Sequence, residues 1–506
     1  MSQTPNAGLP GLPQNDLPWW RQLTGYHWFV FFVASAAWFF DCLDQRLFSL
    51  ARIPALMELM KGEENTAIQA FGKIATAFFL VGWGIGGLIF GALGDKYGRA
   101  RMLTLTILTY SMFTGLTFFS QTRFDFTLFR FLTGVGVGGV FGLAVALIAE
   151  TVPSGARAQA LGLLQVLSTF GNITAGLIKI GIDELEKGGT IAHGQGWRWV
   201  FLVGAVPAFL VIFTGRHLRE PEPWLRLKEQ GLLPKGGFLS PYRNLFGQRR
   251  WRRNLIVGTL IASTGVVGLW AIGEYAPDLQ RTVFTTHYEA IVPPVPGTAD
   301  ARITPATTTT IAATAPVATA AVDATAAARI ETLKKERKAE VKGLVDRAIN
   351  YAFILNMLGA AAGMWLFTRV AAATGRRLAF LIGFSAALVV TVFVYWKMES
   401  PADAYWMMPL MGAAQLGTFA GFSIYLPELF PSSLRSTGTS FCYNLGRFAA
   451  AAGSFFSSVL TLGVFKNYDS PLPLRYSAIA MCAIFLVGLA TLPFAPETRG
   501  KPLPTE

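Results

Sequence analysis

Residues 150–157 read ETVPSGAR, and residues 428–435 read ELFPSSLR. Both obey E-x-x-P-S-x-x-R, at a separation of 428 − 150 = 278. LGDKYGRAR (93–101) has a partial echo in ATGRR (373–377): Gly98 and Gly375 lie 277 apart, as do Arg99 and Arg376. Two independent matches at nearly one offset mark a duplicated unit. Composition says what is duplicated. The 506 residues are 52% hydrophobic and 14% charged, whereas a soluble protein carries about 25% charged residues. Apolar runs long enough to cross a ~30 Å hydrocarbon core recur twelve times, near 27–58, 69–92, 102–119, 126–149, 158–180, 198–216, 254–276, 347–370, 378–396, 405–427, 438–463 and 475–493. The expected fold is therefore an all-α membrane protein with 12 transmembrane helices in two pseudo-symmetric six-helix bundles.

The expected organisation is an N-terminal segment 1–26, a first bundle 27–216, a central loop 217–253, a second bundle 254–493 and a tail 494–506. The net charge of +13 is localised: Arg216, Arg219, Arg226, Lys228, Lys235, Arg243, Arg249, Arg250, Arg252 and Arg253 crowd the central loop. By the positive-inside rule that loop and both termini are cytoplasmic. The bilayer, not nucleic acid, is the partner this placement implies. PYRNLFGQRRWRRN (241–254) alternates basic and aromatic residues, like a helix on the inner leaflet. Residues 285–345 form a long connection expected on the extracytoplasmic side; long loops weigh little in the charge rule. Within it, 299–328 is a Thr/Ala tract too simple to specify a core. RIETLKKERKAEVKGLVDRA (329–348) then reads as a helix extending span eight, with Glu331 and Lys335 at a pairing distance. No removable signal peptide is expected in the first 26 residues. Cys42, Cys442 and Cys482 all fall in apolar spans, where an odd count suggests packing and not disulfides or metal binding.

GALGDKYGRAR (91–101), RFLTGVGVGG (130–139), REPEPWL (219–225) and PETRGKPLP (496–504) occur in that order. With them the chain resembles the major facilitator superfamily: the first matches its loop motif between spans two and three, the second its span-four Arg-x-x-x-Gly-x-Gly-x-Gly pattern. The last two resemble the acidic-proline endings of sugar-porter-like members. Gly134, Gly136, Gly138 and Gly139 permit close helix approach. Asp95 is suited to capping an adjacent helix N-terminus, and Arg99 and Arg101 to bridging an acidic residue such as Glu150. The resemblance implies a cytoplasmic gate built from Asp95, Arg99, Arg101, Glu150, Arg157, Glu428 and Arg435. Ala372 stands where the second repeat would carry the aspartate, so that latch is expected to be weaker.

Inside span one, FFDCLDQR (39–46) carries Asp41, Asp44 and Arg46, although each charge at mid-membrane costs roughly 2.5–3.5 kcal/mol. Three apart, the two aspartates share a helix face. Asp41-Cys-Leu-Asp44 resembles the D-G-F-D element of aromatic-acid:proton symporters, and Asp44 falls where sugar:proton symporters place a coupling aspartate beside the span-four arginine, here Arg130. Either this is a proton-coupling element or an ion pair fastening span one to span four. Arg46, on another face, has no assigned role.

In FCYNLGRFAAAAG (441–453), Arg447 lies twelve residues past Arg435, roughly 18 Å along the helix and near the midplane. An arginine cannot shed its charge, so it needs an anion: a bound carboxylate, or Glu274 of GLWAIGEYAPD (268–278). The spacing is similar to that in organic-anion transporters, which implies substrate contact. Gln165 and Tyr443 each lie eight residues past the arginine of their repeat; Gln165 matches a substrate-contacting glutamine of sugar porters. Asn444 and Trp270 either line the same pocket or only pack. His27, His193, His217 and His287 avoid mid-span, leaving carboxylates as proton carriers.

No phosphate-binding loop, H-E-x-x-H or C-x-x-C occurs, so neither an enzyme nor an ATP-driven pump is expected, and no cofactor or metal beyond the driving ion H⁺. The expected function is proton-coupled symport of a small organic anion, a mono- or dicarboxylate or aromatic acid, by a monomer in the cell membrane. A sugar:proton symporter is the alternative, although span seven lacks a glutamine-rich sugar signature. A non-transporting membrane sensor would not need the retained carboxylates.

Overall fold

The computed structural model describes residues 18–504 except 210–213, 215, 216, 238, 274 and 296–318. Most of the N-terminal segment and most of the Thr/Ala tract thus lie outside the described residues. Those described are helical, without a strand. The first bundle holds α1 (Gly25–Leu59), α2 (Asn65–Tyr97), α3 (Arg99–Thr117), α4 (Arg123–Thr151), α5 (Ser154–Lys187) and α6 (Gly196–Val203). The linking helices are α7 (Glu222–Glu229) and α8 (Ser240–Gly247). The second bundle holds α9 (Arg249–Val267), α10 (Tyr275–Ile291), α11 (Thr319–Thr374), α12 (Arg376–Lys397), α13 (Pro401–Glu428), α14 (Arg435–Val459), α15 (Leu472–Met481) and α16 (Ile484–Thr491).

By length and composition alone, eight helical stretches among the described residues are apolar enough to cross a membrane. α14 is not one of them, because it carries Arg435, Ser436, Thr437, Thr439, Ser440, Asn444 and Arg447, all buried against other helices. Span seven is interrupted by a wider π turn at Gly268–Ile272 and continues as α10 to Ile291, beyond its expected end. α11 extends span eight outward as expected, and Arg337 pins the extension by donating to the carbonyls of Glu289 (2.7 Å), Val292 (3.2 Å) and Pro293 (3.1 Å). On it Glu331 pairs with Lys334 at 3.0 Å, one residue short of the expected Lys335.

The repeat is visible in the packing. α2 lies on α4 as α11 lies on α13, and the bundles meet where α2 packs on α14 and α11 on α5. A Cβ at Gly82 or Gly86 would sit 2.2 or 1.9 Å from the carbonyls of Phe131 or Val135 on α4. Their mates 277 residues on, Gly359 and Gly363, would come within 2.0 and 2.2 Å of the Pro409 and Ala413 carbonyls on α13. Only glycine allows backbones this close. Gly98 (φ 113°) and Gly375 (φ 104°) turn the chain between α2 and α3 and between α11 and α12, in a region that disfavours other residues. Tyr26, Arg219, Glu428 and Thr498 gather on one face: the Arg219 N–H donates to the Tyr26 hydroxyl (2.9 Å) and Thr498 donates to Glu428 (2.6 Å). This is the terminal face, which carries both described chain ends. Cys42, Cys442 and Cys482 are buried free thiols.

Candidate functional site

On the terminal face Asp95 reaches from α2 into the other bundle. Its carboxylate accepts from the Ser436 N–H (3.1 Å), the Thr437 N–H (2.8 Å) and the Thr437 hydroxyl (2.6 Å). It thereby caps α14, whose own N-cap residue Leu434 offers no side-chain acceptor, and places negative charge at the positive end of the helix dipole. Arg99 pairs with Asp95 at 2.9 Å and Glu150 at 3.2 Å and donates to the Ser432 carbonyl. Glu150 also pairs with Arg435 at 2.5 Å. Two carboxylates and two guanidiniums, all buried, thus close this face across the seam.

The adjacent helix that Asp95 caps is thus α14, across the seam. α3 is capped by Glu220, which accepts from the N–H groups of Ala100 (3.1 Å) and Arg101 (3.0 Å). Glu497 does the same for Arg376 (3.0 Å) and Arg377 (3.1 Å) of α12, and 497 − 220 = 277 repeats the sequence offset. The Arg101 side chain is exposed and does not bridge to Glu150, because residues two apart on a helix do not face the same way. In the second repeat, Arg376 takes Glu428 at 2.8 Å. Arg157, the mate of Arg435, is half-buried, makes no ion pair among the described residues, and has an unbonded Nε. It borders a cavity of about 520 Å³ with Arg376, Glu428 and Lys501. With Ala372 in place of an aspartate, no carboxylate from α11 reaches the start of α5 among the described residues.

Deeper between the bundles, Arg447 is 2% exposed. Its guanidinium lies 3.2 Å from the Trp83 ring centroid and 4.8 Å from that of Tyr443, a cation–π stack. Its Nε donates to Asn444 (3.3 Å), while Nη2 has no hydrogen-bond partner among the described residues. Asp41 interacts with Arg447 electrostatically across the seam; its Oδ1 accepts from Gln45 (3.1 Å) and its Oδ2 is likewise unbonded. Tyr443 stacks on Phe141 at 3.8 Å, and Trp38 stands 6.2 Å from Tyr443. Gln165 accepts from the Trp38 indole (2.7 Å) and donates to the Phe419 carbonyl (3.3 Å), joining α1, α5 and α13. Asn444 donates to the Ser440 (2.8 Å) and Gly138 (3.4 Å) carbonyls. Trp270 meets Trp83 edge-on at 6.2 Å. Glu274 lies outside the described residues.

The two span-one aspartates part company. Asp44 turns into its own bundle, 3.5 Å from Arg130 and accepting from Thr114 (2.8 Å). Arg130 also donates to Thr117 (2.7 Å) and Thr133 (2.9 Å) and lies 4.5 Å from the Phe201 ring. Residues three apart still diverge by about 60° around a helix, enough here to aim Asp41 at the seam and Asp44 at α3 and α4. Sequence reasoning missed Trp83, Trp38, Phe141 and Gln45. Their only signal is position, one turn from a charged residue or opposite one across the seam.

A family model described as Major Facilitator Superfamily matches residues 28–322, and one described as Sugar (and other) transporter matches 345–505. A cis,cis-muconate transport protein of Acinetobacter baylyi is 24% identical over 85% of this chain and 87% of its own. A "Probable 4-methylmuconolactone transporter" of Cupriavidus pinatubonensis is 25% identical over 93% and 91%. The proton:xylose symporter XylE, solved with 6-bromo-6-deoxy-D-glucose, superposes with a TM-score of 0.67 over 94% of this chain and 98% of its own, at 17% identity, a likeness of fold alone. With two repeats of membrane-spanning helices, buried ion pairs joining the bundles at the duplicated loops and a family match over residues 28–322, the chain belongs to the Major Facilitator Superfamily and is a multi-pass membrane transporter, not an enzyme.

Proposed function

We propose that the protein is a proton-coupled symporter that moves a small organic anion by alternating access, as a monomer in the cell membrane with cytoplasmic termini. The observation that carries this is the buried Arg447 guanidinium, stacked on Trp83 and Tyr443 with Nη2 unbonded among the described residues. A buried donor without a partner costs about 1–3 kcal/mol, and a carboxylate satisfies it with matched geometry. Flat aromatic walls favour a planar or conjugated acid, and cis,cis-muconate, the substrate in one relative's name, is a conjugated dicarboxylate. Asp41, Asp44 and Arg130 serve the proton: protonation of Asp44 removes the charge that balances Arg130, and protonation of Asp41 removes one that faces Arg447. A co-transported H⁺ also offsets anion charge against a potential worth ~2.3 kcal/mol per charge per 100 mV. Asp95, Arg99, Glu150 and Arg435 hold the cytoplasmic side shut in this state.

Proteoliposome uptake of a carboxylate panel, with and without an imposed pH gradient, is the test. Uptake is expected to be saturable and acid-driven, and Arg447→Ala is expected to abolish it. Unaltered uptake by that variant would refute the assignment. Sugar:proton symport is the second reading, favoured by the Sugar (and other) transporter match over 345–505 and by the buried Gln165. Saturable hexose uptake indifferent to carboxylates would favour it.

A further inference from the structure

Away from the transport path, an apolar groove of about 320 Å³ opens beside the seam, lined by Ile85, Leu88 and Ile89 of α2, Leu239 and Tyr242 of α8 and its approach, and Phe441 of α14. α2 belongs to one bundle and α14 to the other, so the groove exists only while the two are in contact. α8 is amphipathic. Tyr242 and Phe246 pack on Phe441 at 6.1 and 5.7 Å, Leu245 is fully buried, and the Tyr242 hydroxyl spends its proton on the Leu88 carbonyl (2.7 Å). Its other side exposes Arg243 and Asn244.

The charge beside the groove is one-sided. Residues 230–273 contain no Asp or Glu, while five arginines (243, 249, 250, 252 and 253) fall within eleven positions. All five are exposed, and none enters an ion pair among the described residues. An arginine near an anionic bilayer surface contributes about 1 kcal/mol, and an amphipathic helix with a basic face lies at the headgroup boundary. A hydrocarbon slot below a cationic collar matches a molecule with an acyl chain and a phosphate. A free phosphate lacks the chain, and a zwitterionic lipid lacks the net charge.

We propose that an anionic phospholipid binds here, one acyl chain in the groove and its headgroup on the α8–α9 arginines, and that it favours the state with the terminal face closed. A ligand that bridges α2 and α14 binds only when they meet, so it shifts the equilibrium by its differential affinity.

The test uses the full-length protein in nanodiscs in which phosphatidylglycerol progressively replaces phosphatidylcholine, followed by native mass spectrometry. Retention of one phosphatidylglycerol per chain is expected, at least about fivefold over phosphatidylcholine. It should fall to the phosphatidylcholine level in R243Q/R249Q/R250Q, and also in Ile89→Trp, which fills the slot and leaves the charge. In a Ser440→Cys variant, maleimide labelling at the seam should slow severalfold as phosphatidylglycerol rises. Equal retention of both lipids, retention untouched by Ile89→Trp, or equal protection by glycerol phosphate would overturn the proposal. So would cross-linking that places a second copy of the chain on Phe441. Should the arginine variant lose its melting transition, Ile89→Trp decides alone.

Discussion

Replacing Asp95 with asparagine should unlatch the terminal face while leaving both bundles folded. The carboxylate accepts three hydrogen bonds from the first turn of α14, at 3.1, 2.8 and 2.6 Å. A bond to a charged acceptor contributes about 1 kcal/mol more than a neutral one, so the amide forfeits about 3 kcal/mol. Its NH₂ group also turns against a donor. The loss falls only on the closed state, because an open face returns Asp95 to water. At 1.4 kcal/mol per tenfold, the closed-to-open ratio should drop roughly a hundredfold. Ser440, fully buried at the seam, reports it: maleimide should label Ser440→Cys roughly a hundred times faster when Asp95→Asn is added. Glu220→Gln is the control, since the same chemistry there caps α3 within one bundle and should lower the melting temperature without changing labelling. Unchanged labelling in Asp95→Asn, or an equal rise in Glu220→Gln, would refute the reasoning.

Asp44→Asn should leave Arg130 buried and unpaired at a cost of about 3–5 kcal/mol, whereas Asp41→Asn, which breaks no ion pair among the described residues, should melt near wild type yet lose acid-driven uptake; similar melting of the two variants would contradict this division. Gly138→Ala places a methyl 2.1 Å from the Trp83 carbonyl and should cost about 1–3 kcal/mol of overpacking, seen as a lower melting temperature in detergent. Burial pushes the Glu497 carboxyl up, but N–H groups of Arg376, Arg499, Arg377 and Thr498 outweigh it and hold the group below its ordinary 4.5. Its stabilisation is therefore present above pH 4.5 and lost as the pH falls through the lower folded value; the melting difference between wild type and Glu497→Gln should shrink below that pH, and a constant difference would refute it.

Much of the architecture is legible in one dimension. Apolar length, the 277–278 offset and the placement of arginine yield the spans, the repeat and the loops that carry the buried ion pairs, because lipid tolerates few alternatives to a helix of sufficient length. The charged residues of the site, Asp41, Asp44, Arg130 and Arg447, stand out for the same reason: a charge in an apolar run is conspicuous. What each one faces is not written locally. Asp95 and Glu220 are both acidic residues near a helix start, yet one caps across the seam and the other within its bundle. Asp41 and Asp44 differ by 60° of helix rotation and so meet different neighbours. Trp83 and Phe141 carry no chemical flag at all, and they become walls of the site only where α2 and α4 come to lie against α14. Periodicity and transfer cost act along the chain and were determined by it; partner choice depends on how whole helices dock, and only the tertiary structure decided that.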